Sequence, residues 1–204
     1  NIDNYRDFAL YFQDEDNILG TSFMPYLQNV AGLTGVNYRL EPWTYREDEG
    51  CELGNMFTAC VAADSDPATP TIKAHAGDNV MINVFGAHNE QNQMFNVDGH
   101  QWRRHLNQEG SDMIDVEEFG GGEYIQAFFN AGGTYKNPGT YLWLDARTPY
   151  QQAGQWGYMK VLPSGDRSIL PLGKATIKGV KTASQPNEVE KSASKAGEDK
   201  LSMR

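Results

Sequence analysis

Cysteine and histidine are scarce: 204 residues contain two of the first and four of the second. Two thiols cannot complete a four-cysteine zinc site. Cys51 and Cys60 are separated by eight residues in CELGNMFTAC. At that spacing they either close a loop as a disulfide, which implies an oxidising compartment, or persist as a reduced pair. Long apolar runs are also missing, so no segment reads as a membrane-spanning helix. Basic charge is in deficit, with a formal net charge of -10. An acidic surface repels phosphate backbones and anionic headgroups, which excludes nucleic acid and membrane insertion as expected partners. Gly-x-Ser-x-Gly and His-Glu-x-x-His are absent, and with them the commonest signatures of serine and zinc hydrolases. The glycine clusters 120–122 and 132–133 lack a following Lys-Ser/Thr and read as turns rather than phosphate loops.

What the chain does contain is aromatic and turn-rich sequence: ten Tyr, nine Phe, four Trp and 21 Gly. In the opening segment Phe8, Leu10 and Phe12 alternate, predicting a strand over 8–13. A Gly-, Pro- and Asn-rich connector follows, laying Tyr26, Tyr38 and Trp43 over another surface, with no helix expected in it. Between residues 67 and 163 short strands are predicted over 71–76, 79–85, 93–97, 113–119, 124–129, 140–144 and 157–162, separated by turn signals such as Asn137-Pro138-Gly139. Val80, Ile82 and Val84 share one face of the second of these. The pattern predicts an all-β Greek-key sandwich. Three regions are expected: an N-terminal strand and extended connector over 1–50, the sandwich over 51–163, and a basic, flexible tail over 164–204. Residues 174–204 carry a net +3 and the rest of the chain -13. The apolar stretch Ile169-Leu170-Pro171-Leu172 favours local docking before the tail proper.

Four pieces, in order, resemble large bacterial multicopper oxidases of the manganese-oxidase-like type: FALYFQDED, GVNYRLEPW, DPATPTIKAHAGDNVMINVFGAHNEQNQMFNVDGHQW and NPGTYLWLDARTPYQQAGQWGYMKVLP. Together they span about residues 5 to 163, and the resemblance implies the last, cupredoxin-like domain of such a protein. Copper cupredoxins hold their metal with imidazoles and a thiolate from two loops of a rigid sandwich. Where the family's first loop reads His-x-His-Gly-His, this chain has Asn96-Val97-Asp98-Gly99-His100. Where the second reads His-Cys-His, near Leu142 to Arg147, it has LWLDAR. The resemblance therefore implies a cupredoxin frame whose own copper ligands are gone, with no catalytic residue and no cofactor expected.

Against that stand weak metal candidates, His88, Asp98, His100 and His105, which gather in one stretch of sequence and would supply three imidazoles and a carboxylate. Alternatively Asp98 forms a bidentate pair with Arg103, Arg104 or Arg147, with Asp145 inviting the same idea. Trp43, Trp102, Trp143 and Trp156 are either core anchors or a sugar-binding platform. Taken together these readings predict a non-catalytic, copper-free structural or accessory module of a larger extracellular or periplasmic assembly. Its expected partners are the remainder of a multicopper-oxidase-like protein or copies of itself, docked through Tyr38 and Trp43. The competing expectation is an oxidoreductase component that shares a copper or manganese centre with another chain. A chain beginning at Asn1 also predicts removal of an export signal or cleavage from a longer precursor.

Overall fold

The computed structural model describes residues 4–14, 34–48, 51, 66–89 and 91–173; the side chains of Asp48 and His88 lie outside that description. Tyr26, Cys60 and the tail from residue 174 also fall outside the described residues.

Alternation of apolar side chains fixes the strands. In β1 (Arg6–Asp14) Leu10, Phe12 and Asp14 turn inward and Ala9 and Tyr11 outward. β4 (Asn79–Asn89) buries Val80, Ile82 and Val84 completely, as its period-2 pattern requires. Between them in the chain come β2 (Gly35–Val36), the short helix α1 (Trp43–Asp48) and β3 (Ile72–His75). The remaining elements are β5 (Gln93–Val97), β6 (Trp102–Arg103), β7 (Met113–Ile114), β8 (Val116–Phe119), β9 (Tyr124–Asn130), β10 (Gly139–Asp145), α2 (Thr148–Ala153) and β11 (Trp156–Leu162).

Two sheets form the sandwich, ordered β2-β1-β4-β9 and β3-β11-β10-β5-β8, with β6 and β7 as a separate ribbon. β1 runs parallel to β4, and β3 parallel to β11; the other pairs are antiparallel. Parallel neighbours cannot be joined by a tight turn, so the chain crosses between sheets to complete them. Phe12 ties the layers together, meeting Phe119 at 5.3 Å and Trp143 at 6.2 Å between ring centroids, both edge-on. Edge-to-face contact of this kind adds to the area buried by each ring.

The all-β sandwich is therefore as expected, but four local expectations need correction. β1 is no appendage of the sandwich: it is an interior strand of the four-stranded sheet, hydrogen-bonded to β2 and β4. The stretch 113–119 is two strands broken at Asp115, and its halves serve different sheets. Residues 102–103 pair as a strand that the sequence did not suggest. Finally, α1 starts at Trp43, where no helix is expected, and α2 follows the stretch compared with the family's second ligand loop. Pro149 in its first turn and Gly154 at its left-handed C-cap (φ 115°) are ordinary helix-bounding residues.

The chain past residue 163 does dock locally. His75 Nε2 lies 2.8 Å from the carbonyl of Asp166, and Arg6 Nη2 donates to the carbonyl of Leu170 at 2.7 Å. Arg6 also pairs with Asp78, so one guanidinium joins β1, the turn after β3 and the 166–170 segment.

Candidate functional site

The two stretches compared above with ligand loops are neighbours in space. β10 pairs with β5 in the register Trp143↔Val97, Leu144↔Asn96 and Asp145↔Phe95. Backbone geometry suited to a two-loop site is thus present, and the side chains decide what it can hold.

His100 is buried, 1 % exposed, with both ring nitrogens engaged. Nδ1 lies 2.7 Å from the Asp98 carbonyl, which can only accept, so Nδ1 carries the proton. Nε2 accepts the backbone N–H of Gly132 at 3.0 Å. The ring packs on Phe129 and Tyr141 at centroid distances of 4.6 and 4.8 Å. Burial lowers the His100 pKa, opposed by the Asp98 carbonyl. A neutral imidazole with its lone pair already bonded has none left for a metal.

Of the other weak candidates, the His88 side chain lies outside the described residues, and His105 and Asp98 do not converge on His100. His105 is exposed, its backbone N–H bonded to Ser111 Oγ. Asp98 is exposed on the wall of an open cleft of about 870 Å³ that also takes in Arg103, Met113 and Phe128. Enough of the wall surrounds its carboxyl for desolvation to raise the pKa. Among the described residues no three His, Cys, Asp or Glu side chains are placed to hold a metal.

The proposed Asp98–arginine pair is also replaced by other partners. Arg104 meets Glu117 at 3.5 Å and Arg103 reaches the carbonyl of Ser111. Arg147 donates to the carbonyl of Asn92 and to Gln91 Oε1, and lies 4.9 Å over the Tyr150 ring. Nor is there a tryptophan platform, because Trp102, Trp143 and Trp156 are fully buried and Trp43 is half-buried. Tyr38 does face solvent, 89 % exposed, in a left-handed conformation (φ 62°) uncommon for a bulky residue.

A group that the sequence reading largely missed lies at the end of β1. Asp14 is fully buried, and its Oδ2 accepts from Tyr150 Oη and Gln93 Nε2, both at 3.1 Å, and from the backbone of Gln91 at 3.3 Å. Asp145, at the end of β10, is also fully buried; its Oδ1 takes the N–H groups of Arg147 at 2.7 Å and Met94 at 3.2 Å. Desolvation raises the Asp145 pKa to about 7, against those donors and with repulsion from Asp14 adding to the rise. Desolvation and the Asp14 charge keep the Tyr150 hydroxyl protonated. Gln155 closes the group, its Nε2 donating to the carbonyl of Gln13 at 3.0 Å. Strand parity was the available signal, since Asp14 continues the inward series of Leu10 and Phe12.

Copper of the electron-transfer type does not fit here. It requires imidazole and thiolate, whereas this cluster offers carboxylate, amide and phenol oxygens. Cys51 is buried under another part of the fold, hydrogen-bonded from its backbone to Arg46.

The same architecture recurs in known proteins. A family model described as multicopper oxidase matches residues 49–166. Among solved structures, a multicopper oxidase from Campylobacter jejuni described as a metallo-oxidase gives a TM-score of 0.52 at 11 % identity, over 79 % of this chain and 31 % of that one. A multi-copper oxidase from Pediococcus acidilactici gives 0.51 at 8 % identity, over 84 % and 29 %. A variant of McoA multicopper oxidase from Aquifex aeolicus gives 0.50 at 12 %, over 79 % and 30 %. Identities this low establish shared fold alone, and the chain spans about a third of the length of those structures. No curated protein matches it. With more than half of its residues inside the family model, the chain belongs to the multicopper oxidase family.

Proposed function

We propose that this chain is a non-catalytic, copper-free cupredoxin-like module that serves as a structural or accessory part of a multicopper-oxidase-like assembly outside the cytoplasm. The observation that carries this reading is the double commitment of His100, Nδ1 to Asp98 and Nε2 to Gly132, beside a β10 end that bears Asp145. A frame that keeps its strands while its donors turn inward as hydrogen-bonding groups retains shape and loses redox chemistry. Shape is what docking requires, and Tyr38 offers exposed aromatic area of the kind enriched at interfaces. The partner is the remainder of a multicopper-oxidase-like protein or a second copy of the chain. A Cys51–Cys60 disulfide would suit the oxidising compartment that this role implies. Among the described residues no helix is long and apolar enough to cross a membrane.

Elemental analysis of the purified chain tests the first half: near-zero copper, manganese and zinc after incubation with each ion is the expected result. Stoichiometric copper with a thiolate-to-copper absorption band would instead favour the alternative, a centre shared between chains. Sedimentation of the chain tests the second half. Self-association, or co-elution with a multicopper-oxidase-like partner, weakened by Tyr38→Asp is expected; a monomer that binds neither would sink the docking role.

A further inference from the structure

Three buried side-chain oxygens near the ends of β1, β5 and β10 have no hydrogen-bond partner among the described residues: Gln93 Oε1, Asp145 Oδ2 and Gln155 Oε1. All three residues are fully buried. Their orientation is fixed by what the other half of each group does. Gln93 Nε2 donates to Asp14, and Gln155 Nε2 donates to the carbonyl of Gln13. An acceptor can be approached only by the NH2 end of an amide, so the remaining atom is oxygen in both cases. Asp145 Oδ1 already takes two backbone N–H groups, leaving Oδ2 bare.

The residues that carry these oxygens are tied to one another. Gln13 and Asp14 are consecutive on β1, so both glutamines are tethered to the same strand end. The Asp145 N–H donates to the Gln155 carbonyl at 2.9 Å, and the Gln155 N–H to the Tyr150 carbonyl at 2.9 Å. Asp14 and Asp145 are close enough to repel each other. Arg147 contributes one positive charge from over the Tyr150 ring, against two carboxylates. Every bare acceptor left inside a protein costs about 1–3 kcal/mol, and three in one place call for an occupant that supplies positive charge.

We propose that this cluster is a site for a hard cation of the calcium class, held by the carboxylates of Asp14 and Asp145 and the amide oxygens of Gln93 and Gln155. Calcium takes carboxylate and amide oxygens in irregular arrangements, whereas copper's preference for imidazole and sulfur finds nothing here. Two carboxylates with neutral oxygens make a site of modest charge, which places its affinity in the weak range typical of extracellular modules. The cation would lock the ends of three strands, a structural role that suits a chain without redox chemistry.

The test is a thermal melt and a calorimetric titration of the full chain, stripped with a chelator and then given calcium, magnesium or potassium chloride. Calcium should raise the melting temperature in a concentration-dependent way with one site per chain, magnesium less and potassium least. Asp145→Asn should weaken calcium binding at least about tenfold, the loss expected for one charged ligand. Gln155→Met, which keeps volume and removes the oxygen, provides a second variant should Asp145→Asn fail to fold, and it should weaken calcium as well. No response to calcium up to about 10 mM, above the range of weak extracellular sites, would overturn the proposal. So would a calcium response that both variants leave intact. Copper uptake at this cluster would sink the accessory reading too, whereas a chain that takes neither metal sinks only this one.

Discussion

His100 Nε2 accepts the backbone N–H of Gly132 at 3.0 Å, so one imidazole pins the turn after β9 to the end of β5. Gly132 adopts φ 83° and backs directly onto Asn137, which makes the turn intolerant of any other residue and its N–H direction fixed. The contact turns a residue type usually associated with metal or proton chemistry into a structural clamp.

Acidification should loosen that clamp. Burial sets the His100 pKa below that of the unfolded chain, so the folded state binds fewer protons as the pH falls. This contribution to stability is intact above about pH 6.5, the unfolded value, and is lost as the pH drops from there toward the folded value. In urea denaturation at pH 7.5 and pH 5.5 the parent should lose more stability, or gain less, than His100→Phe does. The difference separates His100 from the opposing gain of Asp145, whose pKa of about 7 makes the folded state take up a proton in the same window. At neutral pH the same variant should cost about 2–4 kcal/mol, since it strands the Gly132 N–H and the Asp98 carbonyl. An unchanged pH slope in the variant would contradict this role.

Trp143 lies flat against the backbone of Gly157 on the neighbouring strand. A methyl group added there would come within 2.3 Å of the indole. Gly157→Ala should therefore lower stability by about 1–3 kcal/mol through overpacking, although alanine is the better strand residue. The expected readout is a lower melting temperature together with blue- or red-shifted tryptophan emission. A variant as stable as the parent would show that the sheet relaxes around the extra atom.

How far the sequence foretold this molecule depends on distance along the chain. Val80, Ile82 and Val84 announce an inward face by local alternation, and residues 93–97 came out as drawn. The partnership of β1 with β4 joins residues more than 70 apart, and no local pattern encodes it. Nothing in 113–119 says that Asp115 hands the chain from one sheet to another. The departures from the resembling family's ligand motifs were legible because they are substitutions at fixed places in the sequence. The buried network at the end of β1 was not, because a carboxylate ending a strand, as Asp14 does, reads as solvent-facing until its parity with Leu10 and Phe12 is counted. Likewise Pro149 and Gly154 marked α2 plainly, but in a stretch read for its missing ligands.

Arg46 should prove among the most sensitive positions outside the cluster. It is 1 % exposed, pairs with Glu41 at 3.2 Å, donates to Tyr158 Oη at 3.3 Å, and lies 4.8 Å over the Trp156 ring. Glu41 in turn accepts the backbone N–H of Ala68. Arg46→Leu removes one member of a buried ion pair and leaves the carboxylate uncompensated, at a cost of about 3–5 kcal/mol. Arg46→Lys should rescue little, since an ammonium cannot both stack on the indole and reach the carboxylate in the guanidinium's plane. Guanidinium chloride titration of both variants measures it; a lysine variant of parental stability would reduce Arg46 to a point charge.

Cys51 is buried, and its proposed partner Cys60 is the only other thiol of the chain. If the protein works outside the cytoplasm, the two should be joined in material purified from an oxidising compartment. Closing a loop this short restricts the unfolded chain enough to stabilise the fold by about 2–3 kcal/mol. Peptide mapping without reductant should recover the 51- and 60-containing peptides as one species that separates on reduction. Cys60→Ser should lower the melting temperature, and adding reductant should lower that of the parent to a similar value while leaving the variant unmoved. Two alkylatable thiols in native, never-reduced protein would count against both the bond and the compartment inferred from it.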